Sequence, residues 1–265
     1  MLDKKIPEFT QRYSYSSHLS ELREDARLLE DERSRLRHGD RKINGTWITV
    51  DQIQKDPYAF GATIKFAQMK ALSQTNDPVG ALQCYELLER DYPGARVMPD
   101  AVDLAIAQIA LLQGNLNQAK ANLGVIEKSR TNDMAQLPAD QAKQLKDSLD
   151  KDGAAAKTTM TAATTDGTKF FPVFPNNREA LDSLQSLVNS ENTRLLQLQA
   201  LPMREGLKAS GECSRLVASG KSKEAQDELA LSIKLWPANI ENARLQKQID
   251  NLIKAGSSTQ NPTKP

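Results

Sequence analysis

The sequence predicts an all-α fold of stacked antiparallel helix pairs, with a charged N-terminal helix and one small β-hairpin. Alanine, leucine, glutamine, lysine and glutamate dominate the 265 residues, and aromatics are only 5%. Few runs alternate with the period of two that a half-buried strand needs. One spacing occurs three times: a turn residue, an alanine five positions on, and an aromatic or leucine four after that. It reads Asn76, Ala81, Tyr85, then Gly114, Ala119, Leu123, then Gly220, Ala225, Leu229. In the first and third copies a proline, Pro93 or Pro237, follows where a helix pair would hand over to the next.

This pattern resembles the tetratricopeptide repeat, whose second helix opens with a small residue so that two helices pack closely. Counting back from the alanines, the units begin near Ala62, Asp100 and Gly206. The resemblance covers the second-helix half of the motif. Where the family's first helix carries tryptophan and then glycine, this chain has Lys65, Asp103 and Ala209, then Met69, Ala107 and Cys213. Ala81 and Ala119 also stand farther apart than a repeat of about 34 residues, which implies an insertion between units. The resemblance implies a concave surface that takes a protein or peptide partner. Tyr85, Gln108 and Asn115 would lie in that groove, with Trp47, Phe170, Phe171 and Phe174 beside it.

Residues 1–40 centre on a densely charged helix over 17–37. Leu19, Leu22, Ala26, Leu29, Arg33 and Leu36 fall at alternating steps of three and four, a heptad seam that Ser17 or Ser20 can cap and Gly39 can end. Two readings stay open: a weak coiled coil through which the chain self-associates, or an amphipathic helix lying on its own domain. Residues 41–56 hold Asn44-Gly45 between residues of strand character, the strongest short hairpin signal, because a type I′ turn needs positive φ twice. Asn44-Gly45-Thr46 is also a glycosylation sequon, but the turn explains it without sugar. Trp47 covers the edge of the helical core or serves as a contact hot spot. Thr49 or Asp51 caps a short helix that stops before Pro57.

Residues 57–150 are read as helical repeats. The first pair spans 58–90, turning at Asp77-Pro78 and closing at Pro93-Gly94. The second runs from 101 to 112, turns at Gly114-Asn115 and resumes to about 128; a polar third helix covers 139–149. From 151 to 177, alanine, threonine and lysine without periodicity read as a flexible linker. Its end, Lys169 to Pro175, gathers three of six phenylalanines. That segment either packs on the chain's own helices as an extended strap or serves as a ligand for another molecule's groove. Residues 178–254 give a helix over 178–201 that Pro202 interrupts, a last pair over 203–235 ended by Trp236-Pro237, and a capping helix over 240–253. Residues 255–265 read as a disordered tail.

Charge and composition exclude several functions. A net charge of +1, from 35 basic and 34 acidic side chains, gives no field to gather nucleic acid or an acidic membrane. No run of eighteen apolar residues exists to insert into a bilayer. No apolar run follows Lys4 and Lys5, so the chain as it stands is expected to be cytoplasmic, and exported if a leader preceded it. Cys84 and Cys213 read as buried thiols, with a disulfide open only in an oxidising compartment. With His18 and His38 alone, no zinc-type site can be assembled, and no cofactor is expected. Gly220-Lys221-Ser222 imitates a phosphate loop, but Arg215 stands where that loop needs glycine. Ser148 and Lys151 have the spacing of some acylating hydrolases without a companion motif. An enzyme is therefore not expected. The function read is a non-catalytic scaffold or adaptor for a protein or peptide partner. The alternative is a self-assembling structural subunit, such as one of a bacterial cell envelope, joined through residues 17–37.

Overall fold

The computed structural model describes residues 8–43, 45–198 and 200–258. They form an all-α architecture with one two-stranded antiparallel hairpin. The chain divides into two compact units, Met1–Phe60 and Gly61–Pro265.

In the first unit, α1 (Leu19–His38) ends at Gly39, whose φ of 105° lets its amide bond back to the Leu36 carbonyl. Its N-cap is His18 instead of Ser17 or Ser20, and Ser16 Oγ accepts from the His18 amide. No residue of α1 is buried, and Leu28, Leu29 and Leu36 are exposed. Strands β1 (Arg41–Ile43) and β2 (Thr46–Ile48) pair Lys42 with Trp47 and Ile43 with Thr46. Gly45 has the positive φ, 80°, that the expected turn demands, while Asn44, and with it the sequon, lies outside the described residues. The hairpin folds onto α1. The Arg35 guanidinium stands 5.2 Å from the Trp47 ring centroid, and Lys42 pairs with Glu32. Thr49 and Gln52 close a capping box on α2 (Val50–Lys55).

The second unit opens with most of α3 (Pro57–Gln74) and continues with α4 (Pro78–Asp91) and α5 (Met98–Gln136). Then come α6 (Ala139–Thr165), α7 (Arg178–Leu198), α8 (Ala200–Ala218), α9 (Ser222–Leu235) and α10 (Glu241–Ser258). α5 packs against α4, α7 and α8, and touches α6 only sparsely. Its buried stripe is Ala101, Ala105, Ile109, Leu112, Leu116 and Leu123.

α5 runs straight through Gly114-Asn115, so the turn expected there is absent and the second copy of the repeat spacing lies inside one helix. The energies explain this. A helix-interior glycine costs about 1 kcal/mol, whereas burying each leucine gains about 2 kcal/mol, and Leu112 and Leu116 on either side keep the same stripe in the core. α6 likewise extends to Thr165, past the expected end near 149 and through much of the expected linker. Ala156 and Ala163 are buried two turns apart. The hydroxyls of Thr158, Thr159, Thr161 and Thr165 bond back to carbonyls four residues earlier, which satisfies them inside the helix. Pro202 lies among the helical residues of α8, and residue 199, between α7 and α8, lies outside the described residues. α10 extends through Gly256 to Ser258, into the expected tail; residues 259–265 lie outside the described residues.

The first and third copies of the spacing do form equivalent hairpins. Asn76 and Gly220 make the turns, with φ of 60° and 74°, and α4 and α9 each have 14 residues. Ala81 and Ala225 are fully buried. Tyr92 and Trp236 cap the helices, their amides bonded to the carbonyls of Leu88 and Ser232, and Pro93 and Pro237 follow. A glycine of the preceding helix makes room for each capping aromatic: a Cβ on Gly61 would strike the Tyr92 ring, and one on Gly206 would lie 2.9 Å from Trp236 Cβ. The two hairpin ends meet, with the Ile240 amide bonded to the Gly94 carbonyl. A buried network finishes the second hairpin: Ser232 Oγ donates to Asn242 Oδ1 at 2.7 Å, and Asn242 Nδ2 donates to the Trp236 carbonyl.

Candidate functional site: an extended strap on a helical face

Residues 168–175 leave α6 as an extended strap. Gly167, with φ of 74°, turns the chain after the Asp166 and Thr168 amides have bonded back to Ala162 and Ala163. The strap ends at Asn177, whose Oδ1 accepts from the Ala180 amide and caps α7. Between those ends Phe170 and Phe171 are buried, at 1% and 6% exposure.

Side chains of α4 read the strap's backbone. Glu86 Oε2 accepts from the Lys169 amide at 2.9 Å, and Gln83 Nε2 donates to the Phe170 carbonyl at 2.7 Å. The Lys169 ammonium donates to Glu191 Oε1 on α7 at 2.7 Å. Arg194 then ties α7 to α4, donating to Glu89 at 2.6 and 2.9 Å and to Glu191 Oε2 at 2.7 Å. Tyr85 adds a hydroxyl bond to Glu89 at 3.2 Å.

The electrostatics follow from burial and partners. Desolvation raises the Glu86 carboxyl above its ordinary value, against the bonds from the strap amides, and among the described residues its Oε1 has no hydrogen-bond partner. Burial also opposes ionisation of Glu191, but the bonds from Lys169 and Arg194 outweigh it and hold this carboxyl below the usual range. Burial opposes the charge on Arg194 too, and its bonds to Glu89 and Glu191 more than reverse that. Desolvation, with the Glu89 charge behind it, pushes the Tyr85 hydroxyl up. Glu89 and Glu191 are thus held in ion pairs, and Glu86 faces peptide amides. The arrangement can grip an extended segment through its backbone, an adjacent cation and two aromatic side chains.

The residues expected to form a groove are placed differently. Tyr85 is 1% exposed and Gln108 6%, so both lie in the core. Gln108 donates to Ser73 Oγ at 2.8 Å, fixing α5 to α3. Tyr85 and Gln108 fall on the inward stripes of their helices, a placement that the spacing alone does not determine. Asn115 is exposed in the middle of α5 and lines a cavity of about 310 Å³ beside Pro172 and Val173. Phe170 and Phe171 dock on the chain's own helices, Phe174 is half-buried at the strap's end, and Trp47 is half-buried in the first unit. Gln83, Glu86 and Glu191, which hold the strap, and Arg194, which braces Glu191 and Glu89, carry no sequence signal because polar and charged residues on expected helices read as solvent-facing. Cys84 and Cys213 are free and buried, and desolvation raises both thiols. Among the described residues no group of three or more His, Cys, Asp or Glu could hold a metal ion, and no helix is long and apolar enough to cross a membrane. No protein-family model, curated protein or solved structure matches this chain.

Proposed function

We propose that this protein is a non-catalytic, tetratricopeptide-like scaffold that binds an extended segment of a protein partner on its helical surface. The strap carries the reading. Its backbone is held by Gln83 and Glu86 and its lysine by Glu191, so the chain already contains one worked case of a helical face recognising an extended basic-aromatic segment. The equivalent hairpins at α3–α4 and α8–α9 support a stacked-repeat arrangement. The test is capture of partners by the full chain from its native cell, with and without excess synthetic peptide of residues 166–177. The expected result is one stoichiometric protein released by the peptide. Capture that the peptide leaves unchanged contradicts the reading.

The exposed leucines of α1 favour a second reading, self-assembly through the heptad seam. Light scattering of the native chain and of Leu29→Glu/Leu36→Glu separates the two. An oligomer that the substitutions dissolve supports self-assembly, and a monomer in both cases removes it.

A further inference from the structure

A cavity of about 630 Å³ opens where α5 and α6 diverge beyond the core, closed at one side by the end of the strap. Its volume is in the range of small-molecule sites, about 300–1,000 Å³. Met134 of α5, Leu149 of α6 and Phe174 of the strap give it apolar walls, and all three are half-buried. Gly153, in the interior of α6, leaves the floor open: a Cβ there would meet only Asn177 Nδ2, at 3.8 Å.

The charges around it are unequal in availability. Glu127 is engaged by Arg178, whose Nε donates at 3.2 Å and whose Nη2 forms the ion pair, and these bonds hold the Glu127 carboxyl below its ordinary value. Arg130, one turn along α5 on the same wall, adds its charge to those lowering the Glu127 carboxyl but forms no ion pair within 4.0 Å among the described residues, so its guanidinium donors face the cavity for a ligand. Asp152 lines the cavity from α6 and would repel a second negative group.

We propose that this cavity binds a small monoanionic amphiphile, with an apolar or aromatic body among Met134, Leu149 and Phe174 and one carboxylate or sulfonate on Arg130. An anion on a guanidinium makes a charge-assisted, two-pronged bond. A polyanion such as a nucleotide is disfavoured by Asp152. The strap contributes both Phe174 and the wall at Asn177, so ligand and strap order each other.

The test titrates the full chain with 1-anilinonaphthalene-8-sulfonate and, separately, with the uncharged N-phenyl-1-naphthylamine, following fluorescence and calorimetric stoichiometry. The native chain is expected to bind one of either dye. Arg130→Gln is expected to weaken the sulfonate about tenfold or more and the neutral dye less than about threefold. Gly153→Leu, which fills the cavity while improving the helix, is expected to abolish both with the thermal transition retained. Absence of saturable one-to-one binding by the native chain overturns the proposal. So does sulfonate affinity unchanged by Arg130→Gln, or binding of both dyes by Gly153→Leu as by the native chain.

Discussion

Glu86 is the carboxyl of the strap site whose ionisation works against the fold. Its carboxyl is raised by burial, so the folded chain holds this proton more tightly than the unfolded chain does. Its contribution to stability is therefore fully present below the ordinary carboxylate value and is lost as pH rises through the raised folded value. Glu86→Gln keeps an oxygen for the Lys169 amide and removes the buried charge. Denaturant titrations at several pH values should show the variant more stable than the native chain at pH 7 and lacking this pH-dependent loss. Arg194 carries the opposite risk, because without it Glu89 loses its ion pair and Glu191 keeps only Lys169. Arg194→Met should cost about 2 kcal/mol, reduced from a fully buried case because a third of the side chain is exposed. Two glycines test the path of the backbone. A side chain at Gly94 would collide with the Ala238 carbonyl, so Gly94→Ala should destabilise by about 1–3 kcal/mol. At Gly114 a Cβ meets nothing within 4 Å and the backbone is helical, so Gly114→Ala should stabilise by about 0.5–1 kcal/mol. Destabilisation there would restore the turn that the sequence suggested.

At the scale of elements, legibility followed how local each signal was. The α4 and α9 hairpins, the Asn44-Gly45 hairpin and the Gly39 cap could be read because turn chemistry and a small residue at a close crossing fix them within a few positions. The straight course of α5 could not, because a Gly-Asn pair is a local turn signal while the burial of Leu112 and Leu116 that overrides it is supplied by distant helices. The helical stretch of α6 beyond 149 was hidden for a similar reason: threonine favours other conformations until its hydroxyl bonds back along the helix. The strap was half legible. Three crowded phenylalanines announced that it must dock, but its partners are polar and charged side chains spread from Gln83 to Glu191, which no local pattern joins. Since Phe170 and Phe171 are almost wholly buried, alanine at either should cost about 3–5 kcal/mol in equilibrium unfolding. Alanine at the half-buried Phe174 should cost distinctly less.

Across the whole chain, the equivalent hairpins differ in what covers them. α4 is buried on both sides, by α5 and by the strap with α7, whereas α9 leaves Leu231 and Ile233 open and carries Lys223, Asp227 and Lys234 outward. The proposed recognition lies on α4 and α7, where the chain's own segment sits. The most direct measurement of that claim is a fluorescence anisotropy titration with labelled peptide of residues 166–177. It compares the native chain with a chain in which Phe170 and Phe171 are both alanine and helical circular dichroism is retained. The account predicts saturable one-to-one binding by the strap-weakened chain and much weaker binding by the native one, whose site is filled in cis. Failure of the strap-weakened chain to bind, or equal binding by both, would contradict it.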